Sequence, residues 1–95
     1  MSLEPQPKVC RRVLYSGRVQ GVGFRYTAQR LSGNYAIGGY VRNLPDGRVE
    51  LLAEGPEPDV DAFLHAVDRS MADYIQSEHR ETIPGLGLTD FRIKH

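Results

Sequence analysis

The stretch IGGYVRNLPDGRVELLA, residues 37–53, contains two alternating runs joined by a turn, and it decides the fold. Pro45 presets the backbone φ that a tight turn needs, and the Asp46-Gly47 pair supplies a positive φ. The alternating apolar positions on either side of the turn share one face: Ile37, Gly39, Val41, Val49, Leu51 and Ala53. Alternation with period two is typical of half-buried strands, so this stretch predicts a β-hairpin.

Upstream of the hairpin, the apolar spacing changes from that of a strand to that of a helix. Residues 9–18 are rich in β-branched and aromatic side chains at even spacing, which predicts a first strand. The next apolar positions recur at helical spacing: Phe24, Ala28, Leu31 and Tyr35. They predict a helix over about residues 23–34, with Gly33 and Asn34 as its stop.

Downstream of the hairpin, Pro56 and Pro58 interrupt the second strand and a second helical stripe begins. Its apolar members are Val60, Phe63, Leu64, Val67 and Met71. Residues 75–83 predict a weakly patterned strand, residues 84–87 a turn, and residues 89–93 a last short strand. The order β-α-β-β-α-β with an extra strand predicts an α+β, ferredoxin-like sandwich: a four- to five-stranded antiparallel sheet with two helices on one face.

Composition limits the classes of protein that fit. A chain of 95 residues has room for one hydrophobic core, so we expect residues 8–95 to form one domain after a disordered tail over residues 1–7. Twelve basic residues balance twelve acidic ones, which argues against a nucleic-acid partner. Cys10 is the only cysteine, which excludes an internal disulfide and favours a reducing cytoplasm. We expect no signal peptide and no membrane span.

The connection between the first strand and the first helix reads GRVQGVGFR, residues 17–25, and contains three glycines. Glycines let successive N–H groups turn inward into an anion-binding nest, and the start of a helix adds further donors. Arg25 in the first helical turn can form paired bonds with two phosphate oxygens. Glycine spacing alone leaves a second interpretation open, in which the glycines form a turn and Arg25 is a solvated helix residue.

The motif GRVQGVGFR, followed eighteen positions after its arginine by the asparagine of GYVRNLPDGRVE, resembles the acylphosphatase family. The resemblance is tight over residues 13–55 and weaker beyond. It implies that the loop binds the phosphoryl group, that Arg25 is catalytic and also binds phosphate, and that Asn43 orients the attacking water. The implied binding residues are Gly17, Arg18, Val19, Gln20, Gly21, Val22, Gly23, Phe24 and Arg25.

The chain departs from the family pattern in two regions. Tyr40 stands where tryptophan is common in the family, and residues 75–88 follow no family pattern. Because of the second departure, the resemblance does not assign the wall of the pocket that faces the acyl group, and hence it does not assign substrate preference.

The resemblance implies a metal-independent hydrolase that converts acyl phosphates to carboxylate and inorganic phosphate, without a cofactor and as a monomer. The three histidines lack the spacing of metal ligands. An alternative is a non-catalytic module of the same fold that binds acyl or carbamoyl phosphate. An RNA-binding domain is a second alternative, but the central strand motifs lack its stacked aromatics. From the residues alone, Asn43 could instead cap the hairpin turn.

Overall fold

The structure is a computed structural model that describes residues 7–95. It contains seven elements: β1 (Lys8–Gly17), α1 (Phe24–Ser32), β2 (Gly38–Asn43), β3 (Val49–Pro56), α2 (Glu57–Ser70), β4 (Ile75–Ile83) and β5 (Phe91–Lys94). Apart from Pro7, the predicted tail lies outside the described residues. The Pro7 carbonyl accepts a hydrogen bond of 3.0 Å from the Glu57 N–H, next to the first residue of β1.

The predicted ferredoxin-like fold is confirmed, with one correction to the sheet. The strand order is β4-β1-β3-β2-β5, and every neighbouring pair is antiparallel except β2 and β5, which are parallel. The expectation of a wholly antiparallel sheet was wrong because residues 84–90 carry the chain from one edge of the sheet to the other. The chain therefore enters β5 from the end at which it left β4, in the direction of β2.

The hairpin forms as the sequence predicts. Strands β2 and β3 pair from Gly38 opposite Glu54 to Asn43 opposite Val49, and Gly47 in the turn has a φ of 95°. Helix α1 ends at Ser32, two residues before the predicted end. Gly33 caps it with an ordinary right-handed φ of −65°, so this stop does not use the left-handed freedom of glycine.

One hydrophobic core lies between the sheet and the two helices. The side chains of β3 that face the helices are fully buried. The side chains of α2 that face the sheet are also fully buried: Val60, Phe63, Leu64 and Val67. The largest members of this core are Tyr15, Phe24, Phe63, Leu51 and Leu64. Among residues 7–95, neither helix is long and apolar enough to cross a bilayer.

The topology brings four chain segments to one end of the molecule. Strands β1, β2 and β5 run in the same direction, so their carboxyl ends meet at one edge. The loop that follows β1 leads into α1 at that edge, which adds the amino end of the helix. The GRVQGVGFR loop, the end of the hairpin strand and the last strand are therefore neighbours.

Candidate active site

The loop between β1 and α1 depends on two left-handed glycines. Gly21 has a φ of 77° and Gly23 a φ of 79°, values at which a side chain is strained. Gly23 also caps α1, and its carbonyl accepts the Thr27 N–H at 2.9 Å. Within the described part of the chain, the N–H groups of residues 19–24 donate to no protein acceptor. The loop thus offers a row of free donors beside the positive end of a helix.

Arg25 is the second residue of α1 and is half-buried. Considering residues 7–95, its guanidinium has no carboxylate oxygen within 4.0 Å. Among the residues that the structure describes, its guanidinium makes one side-chain hydrogen bond, a long one of 3.5 Å between Nη1 and Nδ1 of the exposed His95. The positive charge of Arg25 is therefore not neutralised by an acidic side chain of the described chain.

Asn43 is the last residue of β2 and is half-buried on the face of the sheet that the helices cover. Across the described residues its carboxamide makes no hydrogen bond. The turn is capped instead by Asp46, whose Oδ1 accepts the Arg48 N–H at 3.0 Å and whose Oδ2 lies 2.9 Å from Arg48 Nε. The geometry does not support the alternative in which Asn43 serves as the turn cap.

A cavity of about 230 Å³ joins these parts. Its lining residues are Val19, Gly21, Gly23, Phe24, Arg25, Tyr26, Asn43 and Ile93. Six of the sequence-predicted site residues thus lie at one cavity. Phe24 connects the cavity to the hydrophobic core, because its ring packs against that of Tyr15 with the centroids 4.8 Å apart.

The other four predicted loop residues lie outside the cavity lining. The Arg18 N–H donates to the Tyr74 carbonyl at 2.9 Å, and a Cβ on Gly17 would lie 2.5 Å from that same carbonyl. Val22 is half-buried against the core. The Gln20 side chain reaches to the hairpin turn.

Two lining residues, Tyr26 and Ile93, were not predicted. Tyr26 is 70% exposed at the rim of the cavity, directly after Arg25. Ile93 comes from β5, and nothing in the sequence indicates that β5 lies beside β2. No lining residue of this cavity comes from residues 72–88. Strand β4, which holds most of the divergent segment, lies at the far edge of the sheet.

The sequence matches a family model and several known proteins. The family model described as Acylphosphatase matches residues 11–93. A relative called acylphosphatase, from Bacillus subtilis strain 168, is 52% identical over 56 residues, which is 59% of this chain and 62% of the relative. That alignment covers less than two thirds of the relative's own length.

The chain belongs to the acylphosphatase family.

Solved structures extend the likeness beyond that alignment. The crystal structure of acylphosphatase from Bacillus subtilis superposes with a TM-score of 0.81 at 35% identity and covers 92% of this chain and 99% of that one. The crystal structure of HypF from T. kodakarensis superposes with a TM-score of 0.78 at 31% identity, covering 93% of this chain and 12% of that one. The acylphosphatase-family fold thus also occurs as part of a much larger chain.

A larger cavity of about 530 Å³ in this acylphosphatase-family chain lies between Tyr35 and the exposed side of α2. His65 and Arg69 are among its lining residues, and none of the predicted site residues is. Size alone would select this cavity. The smaller one is the candidate active site because it combines free N–H groups, an arginine and a carboxamide.

Proposed function

We propose that this chain is an acylphosphatase that hydrolyses acyl phosphates to carboxylate and inorganic phosphate without a metal ion. One observation carries the proposal. Four loop residues whose N–H groups are free line the same 230 Å³ cavity as the unneutralised Arg25 and the unpaired carboxamide of Asn43: Val19, Gly21, Gly23 and Phe24. Its membership of the acylphosphatase family supports this reaction over others that use a phosphate site.

In this proposal the loop and Arg25 hold the phosphoryl group. Phosphoryl transfer passes through a loose transition state whose charge spreads over three oxygens, so catalysis consists mainly of positioning and of stabilising that charge. Backbone N–H donors and a planar guanidinium supply such stabilisation. Donors that are fixed in place before the substrate arrives need no reorganisation during the reaction.

Asn43 positions the attacking water. Its carboxamide oxygen can accept a hydrogen bond from water and hold it in line with the bond that breaks. The leaving group is a carboxylate, which departs at neutral pH without being protonated, so no general acid is required. Asparagine is not a base at this pH, and we assign the proton of the water to an oxygen of the substrate's own phosphoryl group.

The remaining parts of the proposal concern the setting of the enzyme. A reducing cytoplasm is favoured by the free thiol of Cys10, which is buried and whose pKa burial raises, with Glu54 as a secondary cause. We propose that the chain acts as a monomer. We propose no nucleic-acid partner. On the face of the sheet without helices, Arg12 of β1 and Glu50 of β3 form an ion pair where an RNA-binding sheet would present aromatic rings.

The test is hydrolysis of benzoyl phosphate in EDTA by the wild-type chain, the Asn43→Ala variant and an Asn34→Ala control. Asn34 is exposed in the connection after α1, so the control makes the same chemical change away from the cavity. We expect metal-free turnover that falls by about 10²-fold in kcat in Asn43→Ala, because the water loses its orienting partner. The control should turn over at the wild-type rate.

Two results would contradict the proposal. If the wild-type chain binds phosphate but does not turn over the substrate, the chain is the non-catalytic binding module. If turnover requires a metal ion, the assignment of all charge stabilisation to Arg25 and the loop is wrong. A sharp ionisation of kcat near pH 6 to 7 would reject proton transfer to the phosphoryl oxygen, because it would indicate a titrating histidine.

A further inference from the structure

Gln20 joins the two walls of the candidate active site. It lies in the middle of the loop, and its Nε2 is 2.8 Å from the Leu44 carbonyl and 3.0 Å from the Arg48 carbonyl. These carbonyls belong to the hairpin turn that begins directly after Asn43. We propose that Gln20 is a positioning residue that fixes the distance between the phosphate-binding loop and Asn43.

The chemistry of the contact suits this role. A carboxamide NH2 group has two N–H donors, and the two acceptors are both backbone carbonyls, so one side chain satisfies both at once. Two bonds of this kind fix the orientation of the side chain as well as the distance between the loop and the turn. A single hydrogen bond would leave the loop free to rotate about it.

The turn does not depend on Gln20 for its own closure. The Arg48 carbonyl also accepts the Leu44 N–H at 2.8 Å, and the Leu44 carbonyl also accepts the Gly47 N–H at 3.1 Å. Both carbonyls therefore keep a partner when the Gln20 side chain is removed. The two bonds from Gln20 connect one segment to another, across 24 and 28 positions of sequence.

These bonds contribute little to the free energy of folding, because Gln20 is exposed and water can replace it as the donor. Their main effect is to fix the position of the loop relative to the turn. Arg25 follows the loop and Asn43 precedes the turn, so a shift between the two segments separates the phosphoryl group from the attacking water. Misplacement by about 1 Å can cost about 10²-fold in rate.

This inference rests on the proposed function, and its first test measures turnover. Gln20→Met keeps the length of the side chain and removes both donors, and Gln29→Met on the exposed side of α1 is the matched control. We expect kcat to fall about 10- to 100-fold in Gln20→Met, while the inhibition constant of inorganic phosphate changes less than about threefold. Gln29→Met should match the wild type in both.

A double variant separates positioning from general destabilisation. When Asn43 is already alanine, no carboxamide remains to be positioned, so Gln20→Met should cost less than about twofold more in kcat. If the two losses instead multiply, or if Gln20→Met leaves kcat unchanged, the positioning role is wrong. Equal losses of kcat and of phosphate affinity would also reject it, since they would place Gln20 in phosphate binding.

A second measurement does not need turnover. In a titration with inorganic phosphate followed by NMR, the amide resonances of Leu44, Asp46, Gly47 and Arg48 in the turn should shift together with those of the loop in the wild type. In Gln20→Met the loop should still shift and the turn should not. Shifts in the turn that survive the substitution would overturn the inference, whereas an inactive wild type would overturn only the proposed function.

Discussion

The arginine at the cavity and the arginines on the open face of the sheet differ in what neutralises them. On the open face, Nε of Arg42 lies 2.6 Å from Oε1 of Glu50, and Nη2 of Arg12 lies 2.7 Å from Oε2 of the same carboxylate. At the cavity, within residues 7–95, no carboxylate approaches Arg25. The fold therefore neutralises the guanidinium groups of Arg12 and Arg42 internally and leaves that of Arg25 available for an anionic ligand.

Glu50 is the buried centre of the open-face cluster and is only 2% exposed. Burial opposes its ionisation, but hydrogen bonds from Arg12, Arg42 and Tyr40 together outweigh burial and lower its pKa below the ordinary value. The ionised carboxylate thus stabilises the fold, because its partners compensate for the lost hydration. Arg25 has no comparable structural task.

The largest expected effect follows from Arg25. In Arg25→Ala the cavity loses the one cationic side chain among the lining residues that the structure describes. We expect kcat/KM for benzoyl phosphate to fall at least about 10³-fold and phosphate binding to be lost, with little change in melting temperature. Steady-state kinetics, calorimetric phosphate titration and a thermal melt measure the three quantities.

Arg30→Ala is the control for this variant, since Arg30 is exposed on the same helix. It should leave kinetics and phosphate binding unchanged. If Arg25→Ala lowered the stability of the chain while the folded fraction still bound phosphate, Arg25 would be a structural residue and its assigned role in phosphate binding would be wrong. Arg25→Lys separates charge from shape: it keeps the charge and loses the paired bonds of the fork.

An effect on stability is expected from Glu50→Gln. The substitution keeps the shape of the side chain and removes the charge to which both arginines donate. We expect a loss of about 1 to 3 kcal/mol in the free energy of unfolding at pH 7. The kcat should stay within about threefold of the wild type, since the Asn43 side chain points to the opposite face of the sheet. Urea unfolding and steady-state kinetics give the two values.

The sign of the pH dependence sharpens this prediction. The folded pKa of Glu50 is lowered, so its contribution to stability is present above its unfolded pKa and is lost as the pH falls through the folded value. The difference between wild type and Glu50→Gln should therefore shrink in acid. Glu81→Gln is the control, because this exposed partner of Arg12 is worth less than about 1 kcal/mol. A difference that grew in acid would reject the assigned role.

The sequence could predict the parts of the fold that depend on local pattern. Alternation around a Pro-Asp-Gly turn predicts the hairpin, and helical spacing predicts both helices to within a few residues. The parallel pairing of β5 with β2 was not predictable, because it depends on where residues 84–90 cross the sheet. No local pattern encodes that path.

The same limit explains the site. Glycines, Arg25 and Asn43 were predictable because a motif carries them, and the family is confirmed, whereas their individual roles stay predictions. Glu50 was missed because, in an alternating strand, a glutamate between Val49 and Leu51 has the pattern of a solvated residue. The arrival of Arg12 from β1 and of Arg42 from β2 changes its environment. The contact of Gln20 with the turn is likewise a matter of tertiary distance.

A second carboxylate that pairs with an arginine, Asp68, differs from Glu50 in the direction of its pKa shift, and its substitution has the smallest expected effect. Its Oδ2 lies 2.6 Å from Nη2 of Arg80, yet its Oδ1 is buried without a partner among the described residues, as is the hydroxyl of Tyr15. Burial raises the pKa of Asp68 to about 6, and Glu78 beside it adds to the rise, which the single arginine does not offset. The pKa values of Glu50 and Asp68 thus shift in opposite directions, although both carboxylates have arginine partners.

The sign of the Asp68 effect follows from that difference. Because the folded pKa is above the unfolded value, the contribution of Asp68 to stability is fully present below about pH 4 and is lost as the pH rises through about 6. Asp68→Asn imitates the protonated form at every pH. We therefore expect this variant to match the wild type near pH 4 and to be more stable at pH 7 by about 1 kcal/mol. The expected difference is small because solvent reaches part of the side chain and screens its charge.

Thermal melts at pH 4 and pH 7 measure the Asp68 difference, which should be about 4 to 8 °C at pH 7. The exposed Asp61 provides the control Asp61→Asn, for which we expect no change of this kind between the two pH values. A variant that is less stable than the wild type at pH 7 and equal to it at pH 4 would mean that the bond to Arg80 outweighs burial. In that case Asp68 would behave as Glu50 does, and one arginine would suffice to stabilise a buried carboxylate in this fold.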